Sequence, residues 1–146
     1  MTAQRGYECK LYRNTGTYDT PVWSEIKYVR DNQLNQEAGE VDVTSRASGG
    51  HKEVIAGLFE EGLEFDIRWK PDDANFAALR TAFHARGTVE LAAMDGDVAA
   101  AGSQGLRGTF AVLSFSRPEK LEEGTVANVV VKPTSSDHVP EWMTVA

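Results

Sequence analysis

The chain has 146 residues, a size that suits one domain rather than two. Hydrophobic residues make up 41% and charged residues 25%, a balance that excludes a disordered chain. Fifteen Lys and Arg against twenty-two Asp and Glu leave a net charge of −7, which argues against a protein that grips nucleic acid by its phosphates, because such binding needs a basic face.

The polar start, residues 1–5, leads directly into a strand-like pattern, so the expectation is a chain without a secretory signal. Tyr7, Cys9 and Leu11 alternate with Glu8, Lys10 and Tyr12, which predicts a strand with Cys9 on its apolar face as a small core residue. As the single cysteine, Cys9 cannot form an internal disulfide, and the fold does not depend on an oxidising compartment. Residues 14–19 form a polar connection, and residues 22–29 carry Trp23, Ile26 and Val29 among polar neighbours, a second strand. Over 40–44, Val41 and Val43 alternate with Glu40, Asp42 and Thr44. Residues 46–51 read Arg-Ala-Ser-Gly-Gly-His, a flexible connection. Residues 54–58 are apolar but contain Ala56-Gly57, and they suit an exposed arm better than a core strand.

The clearest alternation lies in 62–70. Leu63, Phe65, Ile67 and Trp69 fall on one face and Glu64, Asp66, Arg68 and Lys70 on the other. A helix follows over 73–85, with Phe76, Leu79 and Phe83 on one stripe, Asp72 before it as N-cap and Gly87 after it as terminator. Residues 88–94, 106–116 and 125–132 complete about seven strands, separated by the Asp95-Gly96-Asp97 turn and a small-residue tip over 99–105. The tail over 134–146 has Trp142 and Met143 but no periodicity. The pattern predicts a mainly β fold: an antiparallel β-sandwich or barrel of about seven strands with one packed α-helix. The β domain spans 1–133, an arm occupies 45–58, and 134–146 is a C-terminal extension.

Chemistry is sparse. His51, His84 and His138 lack partners at metal-ligand spacing, and no nucleophile elbow, P-loop or dinucleotide fingerprint is present. The paired acids 72–73 and 95–97 read as cap and turn residues, and Glu60-Glu61 and Glu122-Glu123 as solvated charges. No catalytic residue, metal site or cofactor is expected, and no apolar run nears the roughly 20 residues of a membrane-spanning helix.

An ordered set of residues carries a resemblance. It runs from Trp23-Ser24-Glu25-Ile26 through Gly39-Glu40-Val41-Asp42-Val43-Thr44 and Ser48-Gly49-Gly50-His51-Lys52-Glu53. Pro71-Asp72-Asp73-Ala74-Asn75-Phe76, Gly105-Leu106-Arg107-Gly108 and Val131-Lys132-Pro133-Thr134 continue it. Over residues 6–134 the chain resembles the major tail tube proteins of long-tailed bacteriophages. That resemblance implies a structural subunit forming hexameric rings that stack into a hollow tube for DNA, with no enzymatic activity. It implies partners in other copies of itself and in tape-measure, tail tip and tail terminator proteins, and a place in the virion after assembly in the host cytoplasm. It further implies a ring-stacking arm, here Arg46, Ser48, Gly49, Gly50, His51, Lys52 and Glu53. The strands flanking that arm would line the lumen. If Val41 and Val43 face the core with Leu63, Phe65, Ile67 and Trp69, then Glu40, Asp42, Glu64, Asp66 and Arg68 share the channel face. The competing expectations are a carbohydrate-binding sandwich using Trp23, Trp69 and Trp142, and a small hydrolase with a carboxylate pair formed in space.

Overall fold

The computed structural model describes residues 5–119, 121, 124–134 and 138–146. After a 3-10 turn at Gly6–Glu8, the chain forms β1 (Lys10–Asn14), β2 (Trp23–Glu25) and β3 (Val29–Asp42). A second 3-10 turn, Arg46–Ser48, leads to β4 (Val54–Arg68) and the helix α1 (Ala74–Ala85). The remaining strands are β5 (Thr88–Met94), β6 (Gln104–Ser116), β7 (Val126–Pro133) and β8 (Glu141–Thr144). They make one antiparallel sheet in the order β2-β1-β5-β6-β7-β4-β3, with β8 added to β6.

That order forces curvature. Seven strands laid flat would separate β2 from β3 by about 29 Å, six gaps of about 4.8 Å. Only residues 26–28 join those two edges, and four residue steps span at most about 14 Å. The sheet therefore curls until its edges nearly meet. Ile26 N–H donates to the Leu11 carbonyl (2.8 Å) and Arg68 N–H to the Tyr28 carbonyl (3.0 Å), tying the link to both ends.

Inside the curl lies one core. Leu11 and Ile26 from one end meet Leu63, Phe65, Ile67, Val129 and Val131 from the other, together with Leu91, Leu106 and Phe110. Helix α1 closes it with Phe76 and Leu79, both fully buried. Phe76 meets Trp69 edge-on at 5.0 Å and Phe115 at 5.5 Å. The helix start is set by Asp73 rather than Asp72: the Asp73 carboxylate accepts the Phe76 N–H at 3.0 Å, while Asp72 stays in the preceding turn. At the other end Arg86, not Gly87, takes the left-handed conformation (φ 55°), and Gly87 N–H closes the turn on the Ala82 carbonyl.

A smaller cluster covers the other side of the sheet, where Tyr12, Ala92 and Met94 pack with Trp23, Val98, Met143 and Val145. Two of its residues belong to the aperiodic tail, in which Glu141–Thr144 joins the sheet as β8 by pairing with β6. Gly105 lets β6 lie close against β5 here, since a Cβ there would run into the Ala93 carbonyl oxygen. A buried ion pair anchors the same side: Arg107 Nε donates to Glu90 at 2.6 Å, and the guanidinium lies 3.9 Å from the Tyr18 ring centroid. The opposite face of Tyr18 stacks on His138 at 3.5 Å.

Several sequence expectations change here. Cys9 is exposed and Tyr7 is 75% exposed, because the first residues form a 3-10 turn and the strand begins only at Lys10. The stretch 22–29 is two strands with the edge-joining link between them, and the strand expected over 40–44 is the end of the fourteen-residue β3. With β8, the strands number eight among the described residues rather than about seven. Phe83 is only partly buried, stacked on Phe115 at 6.4 Å. Phe76→Ala should therefore cost about 3–5 kcal/mol in equilibrium denaturation, and Phe83→Ala distinctly less.

Candidate functional site

The hairpin β3–β4 outgrows the barrel. Strand β7 pairs with β4 only from Leu63 to Arg68, whereas β3 pairs with it from Ile67 out to Val54. Beyond Gly62 the hairpin is thus a two-stranded ribbon with both faces uncovered by other strands. Its tip is built rather than loose. Ser45 accepts the Ala47 N–H and donates its own N–H to the Ser48 hydroxyl, and Gly49 (φ 66°) and Gly50 (φ 84°) turn the chain back. The Thr44 hydroxyl accepts the Glu53 N–H at 2.8 Å, closing the turn. Residues 46–51, which read as a flexible connection, form a hydrogen-bonded turn because the two serines satisfy its backbone. Of the expected arm residues, Arg46, Gly49, Gly50, His51, Lys52 and Glu53 are exposed and Ser48 is buried within the turn.

Register decides the faces. Gln33 pairs with Glu64, Asn35 with Gly62 and Glu37 with Glu60, so the odd-numbered residues of β3 share the outward face of β4. That face carries Glu64, Asp66 and Arg68, as expected. It also carries Glu37 and Glu60, which alternation within either strand alone could not bring together. Gln33, Glu64, Asp66 and Asn128 border a groove of about 740 Å³ beside Arg30 and Asp31. Glu40 and Asp42 do not lie on this face. They follow Leu34, which pairs with Leu63, and stand on the opposite side of the ribbon.

Val41 and Val43 are consequently not core residues. They are 45% and 42% exposed, on the arm's side that continues the Glu64 face. Alternation was real in both strands, but a one-residue difference in register exchanges the faces, and nothing in residues 30–39 revealed it. A bulge sits at the root of the arm, where Gly57 and Leu58 oppose Gly39. The pair of glycines in facing strands was the available signal for it. A Cβ on Gly57 would lie 3.0 Å from the Val41 methyl, which shows how closely the strands approach. Glu61, expected to be solvated, is half-buried on the core-facing side, with Oε2 lacking a hydrogen-bond partner.

Among the described residues no group of three or more His, Cys, Asp or Glu is arranged to hold a metal ion, and no helix is long and apolar enough to cross a membrane. The three tryptophans make no common platform. Trp69 packs on the interior core and Trp23 on the cluster across the sheet, while Trp142 donates to Gln104 at 2.9 Å.

A curled antiparallel sheet with one plugging helix and a long ribbon is an architecture with known counterparts. The family model described as phage tail tube protein matches residues 4–131. The chain belongs to the phage tail tube protein family. It is a structural subunit of a tail tube, and the carbohydrate-binding alternative is not favoured. The solved structures similar to the tail tube subunit agree in fold. The tail of an empty gene transfer agent particle, obtained by helical refinement with C6 symmetry, is 18% identical with a TM-score of 0.75, over 99% of this chain and 100% of that one. The tail tube of SPP1 is 12% identical with a TM-score of 0.69, over 89% and 75%. The baseplate of the anti-feeding prophage is 6% identical with a TM-score of 0.66, over 99% and 98%. A comparison with curated protein sequences gives no match.

At the arm's tip, the Thr44 hydroxyl and the Thr44 N–H, which donates at 2.8 Å, hold the Asp42 carboxyl below the ordinary carboxylate range. A depressed value in the folded state favours folding above the unfolded pKa of about 4 and is lost as the pH falls through the folded one. An NMR titration should show Asp42 protonating below an ordinary aspartate, and Thr44→Val should move it back up.

Proposed function

We propose that six copies of the tail tube subunit close into a ring, that rings stack into a hollow tube, and that the outward face of β4 lines the channel through which DNA passes. The C6 symmetry of the gene transfer agent tail supports the number six. The charge of the face supports its place: Glu37, Glu60, Glu64 and Asp66 outnumber Arg68 and Lys132 there. A negative wall repels phosphates and offers no counterion-releasing contact, so DNA slides past without being held. In this reading Glu40 and Asp42 travel with the arm to the junction between rings. The arm, with Arg46, Ser48, Gly49, Gly50, His51, Lys52 and Glu53 at its turn, bridges one ring to the next.

The observation that carries the reading is a tail tube fold from which a two-stranded ribbon extends past its last neighbouring strand. The role needs no bond-breaking chemistry and no cofactor. Tape-measure, tail tip and terminator proteins are the partners such a tube requires, and the virion is its location after assembly in the host cytoplasm.

Two experiments test it. Glu64→Lys combined with Asp66→Lys should leave tubes intact but make them retain added DNA, with retention lost as salt is raised; tubes that never retain DNA would place this face elsewhere. Deleting residues 47–52 should leave folded, soluble subunits that form no long tubes in electron micrographs, and tubes of normal length would remove the arm from the junction.

A further inference from the structure

We infer that the exposed Phe59 ring and the unpaired Glu61 carboxylate, at the root of one arm, receive the Arg46 guanidinium from the tip of a second copy's arm. The inference rests on the reading of the arm as the ring junction and names the two surfaces that meet there.

Register fixes the receiving side. Gln36 pairs with Glu61 and Ala38 with Phe59, two and four residues out from the Leu34–Leu63 pair at the edge of the core. Phe59 and Glu61 are therefore neighbours on the core-facing side of the ribbon, just past the end of the barrel. Glu37 and Glu60 point the other way, so a contact here leaves the channel face of β4 open.

Both residues are incomplete in the single chain. Phe59 is 75% exposed. Glu61 is half-buried, and its Oε2 is shut off from solvent without a hydrogen-bond partner. A carboxylate oxygen removed from water without a donor carries a desolvation cost that a charged donor recovers. An aromatic face beside that carboxylate suits a guanidinium above other cations, because its N–H groups bond the oxygens while its plane lies on the ring.

The tip supplies such a group. Residues 44–52 hold Arg46, His51 and Lys52 and no acid, in a chain whose net charge is −7. Lys52 is taken by Glu40 of the same arm at 3.2 Å. Arg46 is exposed and pairs with no carboxylate among the described residues.

An arm cannot satisfy itself. From Glu61 to Val54 the strand rises about 23 Å, and the turn lies beyond, on a paired ribbon too stiff to fold back to its root. A second copy has the right reach. The part of β4 paired with β7 runs only from Leu63 to Arg68, about 17 Å. An arm lying along that part of the next barrel outruns it and brings its tip level with that copy's own arm root. Tip and root are different surfaces, so the contact is heterologous and repeats as an open stack.

The test is a charge exchange in the full chain. Arg46→Glu and Glu61→Arg, each alone, should raise the protein concentration at which tubes appear by about tenfold or more, because the lost contact recurs around the ring. Combined in one chain, they should return assembly to near the parent level. Amide chemical shifts outside residues 44–62 should match the parent in every variant, separating loss of assembly from loss of fold. Should Glu61→Arg fail that check, Glu61→Gln takes its place, and its loss should not add to that of Arg46→Glu. Normal assembly of either folded single variant overturns the inference, as do a charge-exchanged chain no better than its parents and, with Glu61→Gln, losses that add. If the single variants assemble normally while deletion of 47–52 abolishes tubes, this contact is refuted and the ring-junction reading stands. If the deletion also assembles normally, that reading falls as well.

Discussion

Closure of the sheet is the constraint on which the rest of this molecule depends. Three residues, Ile26 to Tyr28, connect the two strands at opposite ends of the sheet order, and no flat sheet can satisfy that connection. Once the sheet curls, the inward faces of seven strands converge on one volume, and a single helix suffices to fill its open side. Phe76 and Leu79 enter the core from the helix and meet residues contributed by strands on both sides of the closure. Without the curl, Leu11 and Leu63 would belong to distant parts of a sheet, and neither would have enough neighbours to be buried.

Closure also dictates what protrudes. A strand inside the barrel can be no longer than its neighbours allow, and β7 stops pairing with β4 at Leu63. Strands β3 and β4 continue together beyond that point because each has the other. Half of the ribbon's backbone groups pair across it and the outward-pointing half face water, so the arm can stand without β7. Its side chains are a different matter. Val41, Ile55 and Leu58 on one side of the ribbon and Val54 and Phe59 on the other remain exposed.

The chain belongs to a structural family, and many of its polar groups are tied into the fold. Several carboxylates serve the structure: Asp73 caps the helix, Asp95 accepts the Gln104 N–H in the turn before β6, and Glu90 binds Arg107 and Asn14. His138 lies flat on Tyr18. Each reflects a requirement of the fold, namely that buried or turning backbone and charge find partners.

Much of this was legible from residue order. Alternation in 62–70 located Leu63, Phe65 and Ile67 in the core, and apolar spacing located the helix to within one residue, because both signals are local and repeat several times. The exposed character of 54–58 followed from Ala56-Gly57. What residue order could not determine was the relation between strands. Residues 30–39 have no alternation, since β3 is an edge strand with little to bury, and so their pairing with β4 was invisible. The faces of Val41, Glu40 and Asp42 depended entirely on that register. The pairing of the tail as β8 was hidden for a similar reason, as four residues are too few to show a period. Sequence by itself determined the elements with a repeated local pattern, the strand over 62–70 and the helix above all, and which side of such a strand is apolar. Tertiary structure alone decided which strands meet and in what register, because pairing energy comes from a partner distant in the chain and a shift of one residue reverses every face.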